Sequence, residues 1–240
     1  MAISVKLSGI FVGFGKPEEY VVGDWDEANN PYLVHWARVQ QDPRHLLVLG
    51  TPANEYKVYG DIDANGPKGC SSTLCQVAAR RLILPKYGFA LPDEQALRAI
   101  IKAGPQGILE IGAGTGYWAM LLSKLGADIV AYDSYGGKYG GGLDHGAHFK
   151  IARGDHREAL ERESHDRTLF LCWPDYEDGW AHEALSLYKG KTLAYVGEGH
   201  GGCTGDDALH ALIEKDWKLK EEVPIPQWWG IHDELCIYER

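Results

Sequence analysis

The chain has 240 residues, 45% of them hydrophobic and 24% charged, with eight Trp and thirteen Tyr. That is enough for one large domain, or one domain with an extension, to bury a core without disulfide or metal staples. The formal charge of −10 argues against a nucleic-acid partner, whose phosphates ask for a basic surface, and favours a small molecule. No apolar run approaches membrane-spanning length. The N-terminal MAISVKLSGIFVGFG lacks the basic region and cleavage site of a signal peptide, so the expectation is a soluble, cytoplasmic protein of unknown oligomeric state. The five cysteines, Cys70, Cys75, Cys172, Cys203 and Cys236, follow no zinc or disulfide spacing. Cys172 and Cys236 sit in apolar runs and read as small buried hydrophobes.

In chain order, residues 1–105 show no regular alternation of strand and helix and read as an α-rich N-terminal extension. ISVKLSGIFVGF has a strand's character, YLVHWARVQQ has helical spacing, and NEYKVYGDIDANGPKGCSS is loop-like. STLCQVAARRLIL reads as a helix that ends before Pro85, because proline disfavours helix in the residue ahead of it. LPDEQALRAIIKAG is a well-marked helix, with Pro92 and acids at its start and Gly104 and Pro105 at its end. This extension is expected to cover the site and help shape a substrate pocket.

Residues 106–240 alternate. The strands GILEIGA, DIVAYD, HFKIARGD, TLFLCW and KTLAYVGEG are separated by the helices GYWAMLLSKLG, HREALERES and GWAHEALSLYKG and by the glycine-rich SYGGKYGGGLDHGA. The helix GDDALHALIEKD then leads to two closing strands, WKLKEEVPIP and DELCIYER. Alternation of this kind predicts an α/β, Rossmann-like, mostly parallel sheet with helices on both faces. The last two strands have no helix between them and should form an antiparallel hairpin at one edge. The stretch from Gly136 to Gly146 reads as a solvated connection or a lid.

The segment LEIGAGTGYW poses the functional question. Its glycines, Gly112, Gly114 and Gly116, follow the order G-x-G-x-G, and Tyr117 stands where a dinucleotide-binding loop places its third glycine. Glu110, just ahead of the glycines, suits a ligand with a positive amino group and suits a pyrophosphate badly. At this point the sequence resembles the class I S-adenosylmethionine-dependent methyltransferases over residues 107–240. LEIGAGTG matches their first motif, Asp133 and Asp155 follow at the ends of the next two strands, and the terminal hairpin matches theirs. The resemblance implies a seven-stranded sheet and S-adenosylmethionine as cofactor. It implies that Glu110, Gly112, Ala113, Gly114 and Gly116 cradle the cofactor, with Asp133 and Ser134 at the ribose and Asp155 and His156 near the adenine. The alternative is a Rossmann-like domain whose glycines only make a tight turn.

The fourth strand of the alternating region ends in LFLCWPDYEDGW. Methyltransferases of this class that act on amino groups carry there an Asn or Asp, two prolines and an aromatic. Cys172-Trp173-Pro174-Asp175-Tyr176 resembles that motif with two departures: Trp173 replaces the Asn or Asp, and Asp175 replaces the second proline. The resemblance places Cys172 and Trp173 against the cofactor, Pro174 against the substrate, and Asp175 and Tyr176 at the transfer. The departures put the usual side-chain acceptor in doubt. A base is needed only for a protonated or weakly nucleophilic acceptor, with Asp175 first and His200 second as candidates.

His200, Glu198, Cys203, Asp206 and Asp207 share the loop after the fifth strand, but their spacing matches no established zinc site, and no metal is expected. Thr204 or Asp206 should cap the following helix. Glu198 reads either as a substrate contact or as a solvated loop residue. Tyr87, Phe89, Trp228 and Trp229 read as aromatic walls for a flat or cationic acceptor, or as core. The expected function is methyl transfer to a small molecule at nitrogen, with oxygen methylation, methylation of nucleic acid or protein, a non-catalytic cofactor-binding module and a dinucleotide dehydrogenase as alternatives.

Overall fold

A computed structural model describes residues 4–6, 19–21, 29–41, 62–63, 66–67, 80, 83–136, 146–228 and 230–240. The chain divides into two compact units, Met1–Pro85 with Trp228–Ile231, and Lys86–Gln227 with His232–Arg240. The segment 86–105, grouped with the extension on sequence, belongs to the second unit.

In the first unit, β1 (Ser4–Lys6) pairs antiparallel with β2 (Glu19–Val21). Helix α1 (Pro31–Gln41) follows. Asn30 caps it by accepting from the Leu33 amide at 3.2 Å, and Pro31 opens the helix where a missing N–H costs nothing. Tyr32, Leu33 and Trp36 are fully buried. The loop-like stretch contains a small antiparallel pair, β3 (Ile62–Asp63) and β4 (Gly66–Pro67). Residues 83–87 are helical, so Pro85 lies inside a helical turn and not beyond its end. The proline rule is a local steric preference, and here burial of Ile83, Leu84 and Tyr87 outweighs it.

The second unit holds α2 (Glu94–Ala103), β5 (Ile108–Ile111), α3 (Tyr117–Lys124), β6 (Ile129–Asp133), β7 (Ile151–Arg153), α4 (His156–Arg162) and β8 (Thr168–Cys172). It continues with α5 (Trp180–Leu187), β9 (Thr192–Gly197), α6 (Asp207–Asp216), β10 (Lys218–Pro224) and β11 (Glu234–Glu239). The sheet has seven strands in the order β10-β11-β9-β8-β5-β6-β7. The pairs from β7 to β9 are parallel. Strand β11 inserts antiparallel beside β9 and carries β10 on its outer edge. The α/β, mostly parallel sheet with a terminal antiparallel hairpin is the architecture the alternation predicts.

Period-two side-chain alternation sends β8 to both faces. Leu169 and Leu171 join Leu109, Ile111, Leu193 and Tyr195 beneath α4, α5 and α6, while Phe170 meets the indole of Trp118 edge-on, 5.6 Å between centroids. Helices α2, α4 and α6 begin where the sequence supplies side-chain caps, while α3 and α5 begin on Gly116 and Gly179 without one. Asp93 accepts from Ala96 N at 2.8 Å, Asp155 and Glu158 form a reciprocal capping box, and Asp206 accepts from Leu209 N at 2.7 Å. Among the described residues, no helix is long and apolar enough to cross a membrane.

Candidate active site

The carboxyl ends of β5, β6 and β8 open on one cavity of about 540 Å³. Strand order reverses around β5, and a parallel sheet leaves its crevice there. The glycine loop forms the floor. Gly112 N and Ala113 N both donate to Tyr132 O at 3.0 Å, which carries the β5–β6 pairing into the turn. Gly112 has φ 75°, and a Cβ there would lie 2.7 Å from the Trp180 ring, so only glycine satisfies both backbone and space. Gly114 N donates to Asp133 Oδ2 at 2.9 Å. Gly116, in a left-handed conformation, opens α3, and a Cβ there would lie 3.0 Å from Phe149 and Ile151. It does not line the cavity.

Two buried carboxylates face this loop. Glu110 is 2% exposed, and its Oε2 has no hydrogen-bond partner. Loss of water, and then the neighbouring Asp133 charge, push its pKa up to about 8. Asp133 ends β6 and accepts from Gly114 N and, at 2.8 Å, from Tyr135 N. Burial raises its pKa, and these amide bonds partly offset the rise.

Asp155 lines the cavity but spends Oδ1 on the Arg157 and Glu158 amides, at 3.0 and 2.9 Å. Those bonds, with Glu158 first, hold its pKa below the ordinary value. His156 Nε2 lies 3.2 Å from Glu183 Oε2, without hydrogen-bond geometry. Glu183 also pairs with Arg157.

At the end of β8, Trp173 has φ 55°, the one positive-φ residue other than glycine among the described residues. Its amide donates to Val196 O at 2.8 Å. Its indole N–H donates to Asp233 Oδ1 at 2.7 Å, and its ring stacks on Phe89, 4.6 Å between centroids and 4° from parallel. Cys172 and Cys236 are half-buried, not buried as read from sequence. Cys172 gives part of its surface to the cavity, and Cys236 lies on β11, beside the exposed edge strand β10. Asp175 is exposed, beside Asp178 at the cavity rim; partial burial, then Asp178 and Asp133, raise its pKa.

Of the residues singled out on sequence, the cavity gathers Tyr87, Phe89, Glu110, Gly112, Ala113, Gly114, Asp133, Ser134, Asp155, His156, Cys172, Trp173 and Asp175. Gly116, Pro174, Tyr176, Glu198 and His200 stand outside it. Pro174 O accepts from Gly205 N at 2.9 Å, and Tyr176 is 44% exposed. Glu198 is a buried loop clamp that accepts from Cys203 N and His232 N, each at 2.7 Å. Burial alone would raise its pKa; these bonds bring it below the ordinary value. His200 is exposed, 3.1 Å from Glu214 and stacked on His210. Trp228 is buried in the first unit and donates to Tyr32 OH at 3.0 Å; Trp229 lies outside the described residues.

Sequence reasoning passed over Thr115, Tyr117, Trp118, Tyr135, Asp178 and Trp180 as lining. Tyr117 and Trp118 carried a signal, since the turn that opens α3 must present its first residues to the same cavity. Asp233 carried none, because its partner Trp173 is 60 positions away.

No protein-family profile matches the chain, and no curated protein matches it by sequence. The solved structures that the chain is similar to include methyltransferases. Magnesium protoporphyrin IX methyltransferase from Synechocystis PCC 6803, solved with bound SAM, is 11% identical, with 83% of this chain and 97% of that one covered and a TM-score of 0.43. The Burkholderia thailandensis 1,6-didemethyltoxoflavin-N1-methyltransferase is 15% identical over 62% of this chain and 79% of that one, TM-score 0.41. Human N-acetylserotonin methyltransferase in complex with SAM is 14% identical, covering 87% and 66%, TM-score 0.38. At these values the likenesses carry no argument about activity.

Proposed function

We propose that the chain is an S-adenosylmethionine-dependent methyltransferase that methylates a small molecule at nitrogen. The observation that carries this reading is the buried, unpartnered Glu110 Oε2 beside Asp133 at the glycine turn. A carboxylate stripped of water asks for a cation, and the amino acid end of S-adenosylmethionine supplies one. Asp133 retains lone pairs for a ribose diol, and the glycine floor admits a ligand against the backbone. These carboxylates and the glycine floor fit the cofactor, and a cavity of about 540 Å³ is the size of a small-molecule site.

When bound, the cofactor supplies an activated methyl on sulfur. The chain's own task is placement: it holds the acceptor in line with that methyl, and such proximity is worth on the order of several kcal/mol. In this reading Cys172, Trp173 and Asp175, which line the cavity after β8, do so. Asp175 at the rim orients an amine or takes up its proton. Its raised pKa also favours a second reading, proton removal from a hydroxyl followed by oxygen methylation.

Asp175→Asn should lower kcat at least about tenfold while leaving the affinity for S-adenosylhomocysteine within about twofold, measured by turnover and calorimetry. Unchanged turnover would remove Asp175 from the transfer site.

A further inference from the structure

Five carboxylates line the cavity, and its described lining holds no lysine or arginine. The methyl donor accounts for Glu110 and Asp133, Asp155 is engaged in capping α4, and Asp175 and Asp178 remain at the rim. Beside them stands an aromatic wall under unusual constraint. Trp173 takes a left-handed backbone conformation, φ 55°, which a bulky residue keeps only where its surroundings hold it. Among the contacts that hold it are its amide's bond to Val196 O at 2.8 Å and the Asp233 carboxylate, 2% exposed, which receives the indole N–H at 2.7 Å. Trp173 lines the cavity, its ring stacked on Phe89, which also lines it.

We infer that Trp173 and Phe89 form the platform for the acceptor, that Asp233 is the positioning residue that sets the indole's orientation, and that the acceptor is a flat ring bearing a positive charge or an amine. The inference rests on the methyltransferase reading and deepens it. An aromatic face attracts cations, the rim carboxylates add to that attraction, and an anionic acceptor meets repulsion from every charged lining group.

The test is binding of four probes to the protein saturated with S-adenosylhomocysteine, followed by ligand-observed NMR. N-methylquinolinium is a flat cation, quinoline a flat neutral ring, quinoline-4-carboxylate a flat anion and cyclohexylammonium a cation without a flat ring. N-methylquinolinium should bind at least about tenfold tighter than the anion or the non-aromatic cation, with quinoline between, as expected of a desolvated cation–π contact. Trp173→Ala should abolish that ranking. Asp233→Ala should weaken N-methylquinolinium at least about fivefold. Asp233→Asn, which keeps an oxygen for the indole N–H, should restore it, and a merely structural loss would not be rescued in this way.

Equal binding of all four probes, tighter binding of the anion, or no rescue by Asp233→Asn would overturn the inference. Should a variant fail to fold, the ranking on the wild-type protein decides. Should the protein not bind S-adenosylhomocysteine, the methyltransferase reading fails on that result, and the same series on the unloaded protein still decides the platform.

Discussion

Glu110 concentrates the chemistry of the site into one titration. Its pKa stands near 8 in the fold against 4.5 for a free glutamate. Between those values the folded chain holds a proton that the unfolded chain has released. The stability it contributes is therefore present below pH 4.5 and is lost as pH rises through about 8. Glu110→Gln should flatten the decline in unfolding free energy across that window, read from denaturant titrations. An ammonium group from the cofactor would draw the proton off, so S-adenosylhomocysteine binding near neutral pH should release protons, detected by calorimetry in buffers of different ionisation enthalpy. Glu110→Gln should eliminate that release and weaken binding roughly 10- to 100-fold, the range for a hydrogen bond to a charged group. Asp133→Ala removes the ribose acceptor and the amide bonds to Gly114 and Tyr135, and should weaken S-adenosylhomocysteine by about tenfold or more. Unchanged affinity would refute its role. Both acids were legible in the sequence because each ends, or nearly ends, an apolar strand ahead of a turn. The clamp role of Glu198 was not legible, because it depends on the His232 amide, 34 positions away.

At the scale of elements, the glycine turn ties β5 to α5 as well as to α3. A Cβ at Gly112 would enter the Trp180 ring at 2.7 Å, from a backbone at φ 75°. Gly112→Ala should therefore destabilise the fold by about 1–3 kcal/mol in denaturant titration and abolish S-adenosylhomocysteine binding. A variant of wild-type stability would mean that Trp180 yields freely. The strands and helices up to β9 and its following helix could be read in order because apolar runs alternate with amphipathic runs, divided by glycine or by a capping acid. The helical turn through Pro85 resisted such reading, since the burial that favours it is tertiary. The pair β3–β4 was hidden in a glycine-rich stretch whose composition reads as loop. Trp173 shows the same limit: its place at the end of β8 was legible, but not its left-handed backbone or its bond to Asp233.

For the molecule as a whole, the charge of −10 and a cavity lined by acids point the same way. Acidic composition steered the sequence reading from phosphate-bearing partners, and the lining carries that preference into the site itself. Topology does the rest, since parallel strands with crossover helices must leave a crevice at their carboxyl ends, and insertion of β11 beside β9 brings Asp233 within reach of Trp173. The most direct measurement is calorimetric titration of the purified protein with S-adenosylhomocysteine, with NAD as the control. One site per chain filled by S-adenosylhomocysteine, with no heat from NAD, is the expected result. Folded protein that binds NAD, or neither ligand, would contradict the assignment of the glycine turn to a methyl donor.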